Sequence, residues 1–127
     1  MKKAIVNIAN APVPSGTYSP AIRAGNTIYL AGQIPLLPTT GEMVGDDIGQ
    51  QINQVFQNMQ AVCQAAGGSL ADIVKLNIYL TELSDFPYVN QVMAKFFSQP
   101  YPARTTVEVS ALPKGAKIEI DAIMILS

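Results

Sequence analysis

Histidine is absent from this chain, and cysteine occurs once, as Cys63. Without histidine there is no Ser-His-Asp triad and no Cys-His pair to activate a nucleophile. The commonest transition-metal ligand is missing as well. A lone cysteine excludes an intramolecular disulfide and any Cys-x-x-Cys site. Charge is also scarce: 13% of the residues are charged, against about 25% in an ordinary soluble domain. The net charge is -1 and Lys and Arg do not cluster, so the electrostatic footprint of a nucleic-acid binder is lacking. No apolar run approaches the ~20 residues of a membrane span. The opening "MKKAIVNIANAPVP" starts like a secretory signal, but Asn7, Asn10 and Pro12 interrupt it before it reaches the length of an apolar h-region. It reads as a short edge strand, and the protein as cytoplasmic. Chemistry is left to Arg, Asp, Glu, Tyr, Ser, Thr, backbone groups and water.

What is present is apolar. Of the 127 residues, 49% are hydrophobic. This length suits one domain, residues 1–127, burying roughly two-thirds of its unfolded surface. A monomer needs a solvated surface, so low charge on so apolar a chain points to an oligomer.

The pattern changes period along the chain. "YSPAIRAG" and "NTIYLAGQI" read as a hairpin turning at Ala24-Gly25-Asn26. Gly32, inside the second strand, marks a close approach to the backbone. "PLLPTTGEMVGDD" is loop. From Asp47, Ile48, Ile52, Val55, Phe56, Met59, Val62, Cys63 and Ala66 recur at three and four, one face of a helix. Gln50, Gln51, Gln54, Gln57 and Gln60 fall on its other faces, and Gly67-Gly68 stops it. Cys63 sits on the apolar stripe and reads as structural. Asp72–Thr81 alternates as a strand, with Val74, Leu76, Ile78 and Leu80 on one side and Lys75, Asn77 and Tyr79 on the other. Ser84 is the expected N-cap of a second helix, whose apolar face is Phe86, Val89, Met93, Phe96 and Phe97. The expected fold is α+β: about six mostly antiparallel strands with both helices on one face. The opposite face is then solvated or covered by another subunit.

"YPARTTVEVSALPKGAKIEID" (Tyr101–Asp121) reads as strand, tight turn, strand. Arg104, Thr106, Glu108 and Ser110 share one side of the first strand. Lys117, Glu119, Asp121, Ile123 and Ile125 share one side of the second. A two-residue loop at Pro113-Lys114 would pair Glu108 with Glu119 and Thr106 with Asp121; the reading rests not on those pairs but on both polar rows falling on one sheet face. Ordinary solvated charges are one reading of that face. The other is a small-anion site closed by a second subunit, because carboxylates opposite carboxylates require compensation. Arg suits bidentate capture of a carboxylate, and Glu suits general acid/base work on a water.

The segments "GTYSPAIRAGNTIYLAGQIP", "NMQAVCQAAGGSLADIVKLNIYLTELSDFPYVNQV" and "YPARTTVEVSALPKGAKIEIDAI" resemble the RidA/YjgF family of enamine/imine deaminases over nearly the whole chain. The resemblance implies a chorismate-mutase-like α+β fold and a homotrimer with sites in the clefts between subunits. It implies hydrolysis of 2-aminoacrylate, 2-aminocrotonate and their imines to 2-keto acids and ammonia, with no cofactor. By position, Arg104 matches the arginine that grips the substrate carboxylate, and Glu119 the acid that activates water. Tyr18 matches the aromatic residue that closes the pocket, and Gly32 the glycine whose backbone borders the ligand. Asn90 matches an asparagine near the site. Thr106 stands where cysteine is often found, so a thiol-dependent step is unavailable, although its backbone amide remains a donor. Ala31 and Pro20 replace a common serine and glutamine and make the pocket less polar. Two rival readings are a non-catalytic binder of 2-keto acids in the same cleft, and a ribonuclease or translation inhibitor. The missing histidine and basic patch weigh against the latter.

Overall fold

The computed structural model describes residues 2–6 and 8–127. Met1 and Asn7, the latter one of the interrupters of the N-terminal stretch, lie outside the described residues. Along the chain run β1 (Lys2–Ile5), β2 (Ala21–Ala24), β3 (Thr27–Gln33), α1 (Ile48–Ala65), β4 (Ile73–Leu80), α2 (Phe86–Phe96), β5 (Ala103–Glu108) and β6 (Ile118–Ile125). The strands form one sheet in the order β1-β2-β3-β6-β4-β5. All neighbours are antiparallel except β4 and β5. The expected α+β architecture holds, with six strands and two α-helices among the described residues.

Local chemistry sets the boundaries. The Asp47 side chain caps α1 by accepting the Gln50 N–H at 2.9 Å. At the far end Gly67 takes φ 93°, and the Gly68 N–H returns to the Cys63 carbonyl at 2.9 Å. This left-handed turn favours glycine. The β2–β3 hairpin closes between Ala24 and Thr27 around Gly25-Asn26, as expected.

The core lies between the helices and one sheet face. Ile28, Leu30, Leu76, Ile78, Ile118 and Ile120 meet Ile52, Val55, Phe56 and Met59 of α1 and Val89 and Met93 of α2. Phe56 is fully buried and packs at 5.5 Å and 5.4 Å, centroid to centroid, on Phe96 and Phe97.

Four local expectations fail. Ser84 does not cap α2; a short 3-10 turn at Leu83–Asp85 leads into the helix, whose N-cap is Asp85. Val74 does not join the apolar face, because a register shift between Ile73 and Lys75 turns it outward. Gln51 and Gln54 do not decorate an outer face but are buried, as is Asn58.

The largest correction concerns β5 and β6. They are not a hairpin, because β4 lies between them. Glu119 therefore faces Tyr79 and Asp121 faces Asn77, so the Glu108–Glu119 and Thr106–Asp121 pairs do not form. In the parallel β4–β5 register Arg104 pairs with Leu76 and Thr106 with Ile78. Leu76 and Ile78 point into the core. Arg104 and Thr106 thus lie on the helix-covered face, while Glu119 and Asp121 lie on the open one. The two polar rows occupy opposite faces.

Phe56→Ala removes the one side chain on which both Phe96 and Phe97 stack. It is expected to cost about 3–5 kcal/mol, read from urea unfolding at 25 °C; a loss below about 1 kcal/mol would show that the site collapses around the gap.

Candidate active site

Glu119 leaves β6 on the open face and rests against backbone. Between Leu30, opposite Ala122, and Gln33, opposite Ile120, β3 carries one extra residue. This bulge bends the strand at Ala31-Gly32. A Cβ built on Gly32 would run into the Glu119 carboxyl group. Only glycine lets that group lie against the strand. Tyr18, Pro20, Ala31, Gly32 and Glu119 all line one cleft of ≈ 420 Å³. Much of the remaining wall is apolar, with Ile34, Leu36 and Pro113 prominent.

Burial pushes the Glu119 carboxyl above the ordinary carboxylate range, and the charge of Asp121 two residues along adds to the effect. Asp121 is itself held by neutral donors. Asn77 Nδ2 donates to it at 2.7 Å and the Tyr79 hydroxyl at 3.0 Å. These bonds fix its position without cancelling its charge. The bond to Asp121, followed by burial, raises the Tyr79 phenol, which therefore remains a donor at neutral pH.

Arg104 lies elsewhere. Its Nη2 donates to Asn90 Oδ1 at 2.5 Å and its Nη1 to Met93 Sδ at 3.1 Å. The guanidinium stands 4.9 Å from the centroid of the Phe86 ring. Asn90, Met93, Tyr101, Pro102 and Arg104 line a second hollow of ≈ 350 Å³. Thr106 is two residues along the same face, its Oγ1 buried without a hydrogen-bond partner. One chain therefore assembles Tyr18, Gly32 and Glu119 in one place and Arg104 and Asn90, with Thr106 nearby on the same face, in another. The chain by itself does not join the two groups. Cys63 belongs to neither. Burial, reinforced by the charge of Asp72, pushes its thiol up to about 12, and it is structural, as expected.

Sequence reasoning missed three participants. By apolar spacing Phe86 and Met93 read only as core, yet they flank Asn90 at helical spacing on α2. A polar residue set into an apolar stripe was the available signal. Lys114 lines the Glu119 cleft from a left-handed conformation, φ 57°, which a bulky residue adopts sparingly. The Leu-Pro-Lys-Gly turn marked its location but not its orientation.

The family model described as Endoribonuclease L-PSP matches residues 8–126. A RutC family protein from Pyrococcus horikoshii is 50% identical over 95% of this chain and 96% of its own length. A 2-iminobutanoate/2-iminopropanoate deaminase from Dermatophagoides farinae is 46% identical over 98% of this chain and 97% of its own. The crystal structure of RidA from the Antarctic bacterium Psychrobacter sp. superposes with a TM-score of 0.94 at 46% identity, covering 98% of this chain and 100% of that one.

Replacing Asp121 by Asn removes one of the two influences that raise Glu119. In a carbon-13 NMR titration of the side-chain carboxyls, the Glu119 midpoint should move down in Asp121→Asn. It should stop above the ordinary glutamate value, because burial is the larger cause. An unmoved midpoint would separate Asp121 from Glu119.

Proposed function

The chain belongs to the RidA/YjgF family, whose model is described as Endoribonuclease L-PSP, and on that footing we propose that it is a hydrolytic deaminase of small enamines and imines such as 2-aminoacrylate, 2-aminocrotonate and their imine forms. We place its site between copies of a homotrimer. The observation that carries this reading is the separation of the two groups. A guanidinium whose partners are all neutral waits on one face, and a carboxyl with a raised pKa waits in an apolar cleft on the other. A complete site needs Arg104 from one copy and Glu119 from another.

In the proposed reaction the substrate carboxylate docks on Arg104, oriented by Asn90, with the Thr106 backbone amide as a further donor. Tyr18 closes the opposite cleft, and the Gly32 backbone borders the bound molecule. The enamine takes a proton from solvent at carbon and becomes the protonated imine. Glu119 holds a water beside the imine carbon and accepts its proton as the C–O bond forms. The same carboxyl returns the proton to nitrogen as the C–N bond of the carbinolamine breaks and its hydroxyl proton passes to water, leaving a 2-keto acid and ammonia. Holding water and carbon together supplies much of the acceleration, and acid/base participation typically adds ~10²- to 10⁴-fold. Water activation needs the carboxylate form. The rate should therefore rise with pH through the Glu119 midpoint, which lies above the ordinary carboxylate range.

The family description as an endoribonuclease supports a second reading. It finds little help here, since the chain has no histidine and a net charge of -1. A binder of 2-keto acids without turnover is the third.

A coupled assay separates these readings. A serine or threonine dehydratase generates the enamine, and 2-keto acid formation is followed with and without this protein. Wild type should accelerate it, and Arg104→Ala and Glu119→Gln should each lose most of the effect. After the two variants are unfolded together and refolded in equal amounts, roughly a quarter of wild-type activity should return if the copies assort at random. Active single variants would remove these residues from the mechanism. A mixture as inactive as its components would place the site within one chain. Binding of 2-keto acids without acceleration would favour the third reading, and RNA cleavage abolished by Glu119→Gln the second.

A further inference from the structure

We propose that Gln51, a buried α1 side chain outside the cleft, is a positioning residue that sets the cleft's width and thereby the size of the substrate's substituent. The inference rests on the deaminase reading above. With the carboxylate on Arg104 and the reacting carbon beside Glu119, the substituent has only the rest of the Glu119 cleft to enter.

Two chain segments wall that cleft. Leu36 and Gly41 come from the loop before α1, and Pro113 and Lys114 from the turn before β6. The loop is a small hairpin in its own right, bridged between Leu36 and Met43, with the Leu37 N–H bonded to the Glu42 carbonyl at 2.7 Å. It can therefore shift as a unit. Gln51 is 1% exposed and spans the two segments. Its Nε2 donates to the Gly45 carbonyl at 2.6 Å, and its Oε1 accepts the Lys117 N–H at 2.9 Å. Lys117 is two residues before Glu119, so one amide ties the loop to the strand that carries the acid. Outer ties run in parallel: Lys117 Nζ donates to the Asp46 carbonyl at 2.6 Å and Lys114 Nζ to the Gly41 carbonyl at 3.4 Å. Further along α1, Asn58 Nδ2 donates to the Leu36 carbonyl at 2.9 Å and is itself held by Gln54 at 2.9 Å.

A side chain with a donor and an acceptor at one tip is required to bridge a carbonyl and an N–H. An ionised glutamate keeps only the acceptor, and methionine keeps length without either bond. Nothing in apolar packing asks for Gln51, Gln54 and Asn58 to be amides. The partners of Gln51 and Asn58, Gly45 and Leu36 on the loop and Lys117 before β6, do, with Gln54 acting through Asn58.

The test uses Gln51→Met, which cuts the inner tie between the two segments and leaves the lysine ties in place, and Lys117→Met, which cuts the outer tie to Asp46 without orphaning a buried group. Imines are generated from alanine and from leucine by an amino-acid oxidase, and kcat/KM is measured for each. Binding of pyruvate and 4-methyl-2-oxopentanoate is measured by calorimetry, independently of turnover. Gln51→Met should raise the large-to-small ratio in both measurements by on the order of tenfold, the discrimination carried by roughly one methylene. Lys117→Met should move it the same way by less, and it carries the test if Gln51→Met does not fold. A ratio unchanged while both substrates weaken together, or a lowered melting temperature alone, would make Gln51 merely structural and overturn the proposal. If wild type binds both keto acids but accelerates nothing, the deaminase reading fails and the binding ratio still decides this one. If wild type binds neither, the cleft does not receive the substituent and the proposal is overturned.

Discussion

Because α2 returns the chain to the far side of β4, β5 must run parallel to β4 and cannot meet β6. Side chains alternate along a strand, so the register of that one pairing decides the face of every residue on β5. Leu76 and Ile78 are committed to the core, and the residues beside them, Arg104 and Thr106, must share that face. Glu119, set on β6 between Ile118 and Ile120, must take the other. A shift of one residue would put Arg104 on the open face and bury Thr105 and Val107 against the helices.

On the proposed reading, the two groups are prepared for their roles by different means. Arg104 emerges at the edge of the helix layer, where α2 offers an amide oxygen, a thioether and a ring face. These orient the guanidinium and leave its charge intact. Glu119 is kept short of solvation by an apolar cleft and by the backbone of a bulged strand. Its nearest charged neighbour on β6, Asp121, repels its ionised form. Glycine at position 32 is the steric condition for both effects.

Most of the fold was legible because periodicity reports burial. The apolar stripe of α1 and its Gly67-Gly68 stop were readable from spacing alone, whereas its Asp47 cap came only with the structure. The alternation of β4 from Leu76 onward and the hairpin at Gly25-Asn26 were readable too. What was not legible is non-local. Nothing in the Tyr101–Asp121 stretch says that another strand will lie between its two halves, since pairing partners far apart in sequence leave no local trace. The buried amides of α1 escaped for a related reason: glutamine on a helix reads as surface until its distant partners, Gly45 and Lys117, are known. The site residues themselves came from the family resemblance. Residue chemistry alone supplied Arg104 and Glu119 but put them on the same face.

That error is instructive about the design. On one face of one sheet, an arginine and a glutamate would tend to pair, and each would lose its use. The guanidinium would be occupied by a carboxylate other than the substrate's, and the glutamate pKa would fall rather than rise. The sheet prevents this by keeping them on opposite faces, the arginine with neutral partners for its polar contacts and the glutamate against the backbone at Gly32. On the proposed reading, they meet only where two copies meet, and there the substrate lies between them. Its carboxylate takes the arginine, so the cation is neutralised by the ligand and not by the base. Glu119 then keeps its proton affinity in the complex, where a base and later an acid are needed. The scarcity of charge in the chain fits the same scheme. Among the described residues that line the hollow beside Arg104 none other is charged, so on the same reading the substrate carries the charge that balances the arginine.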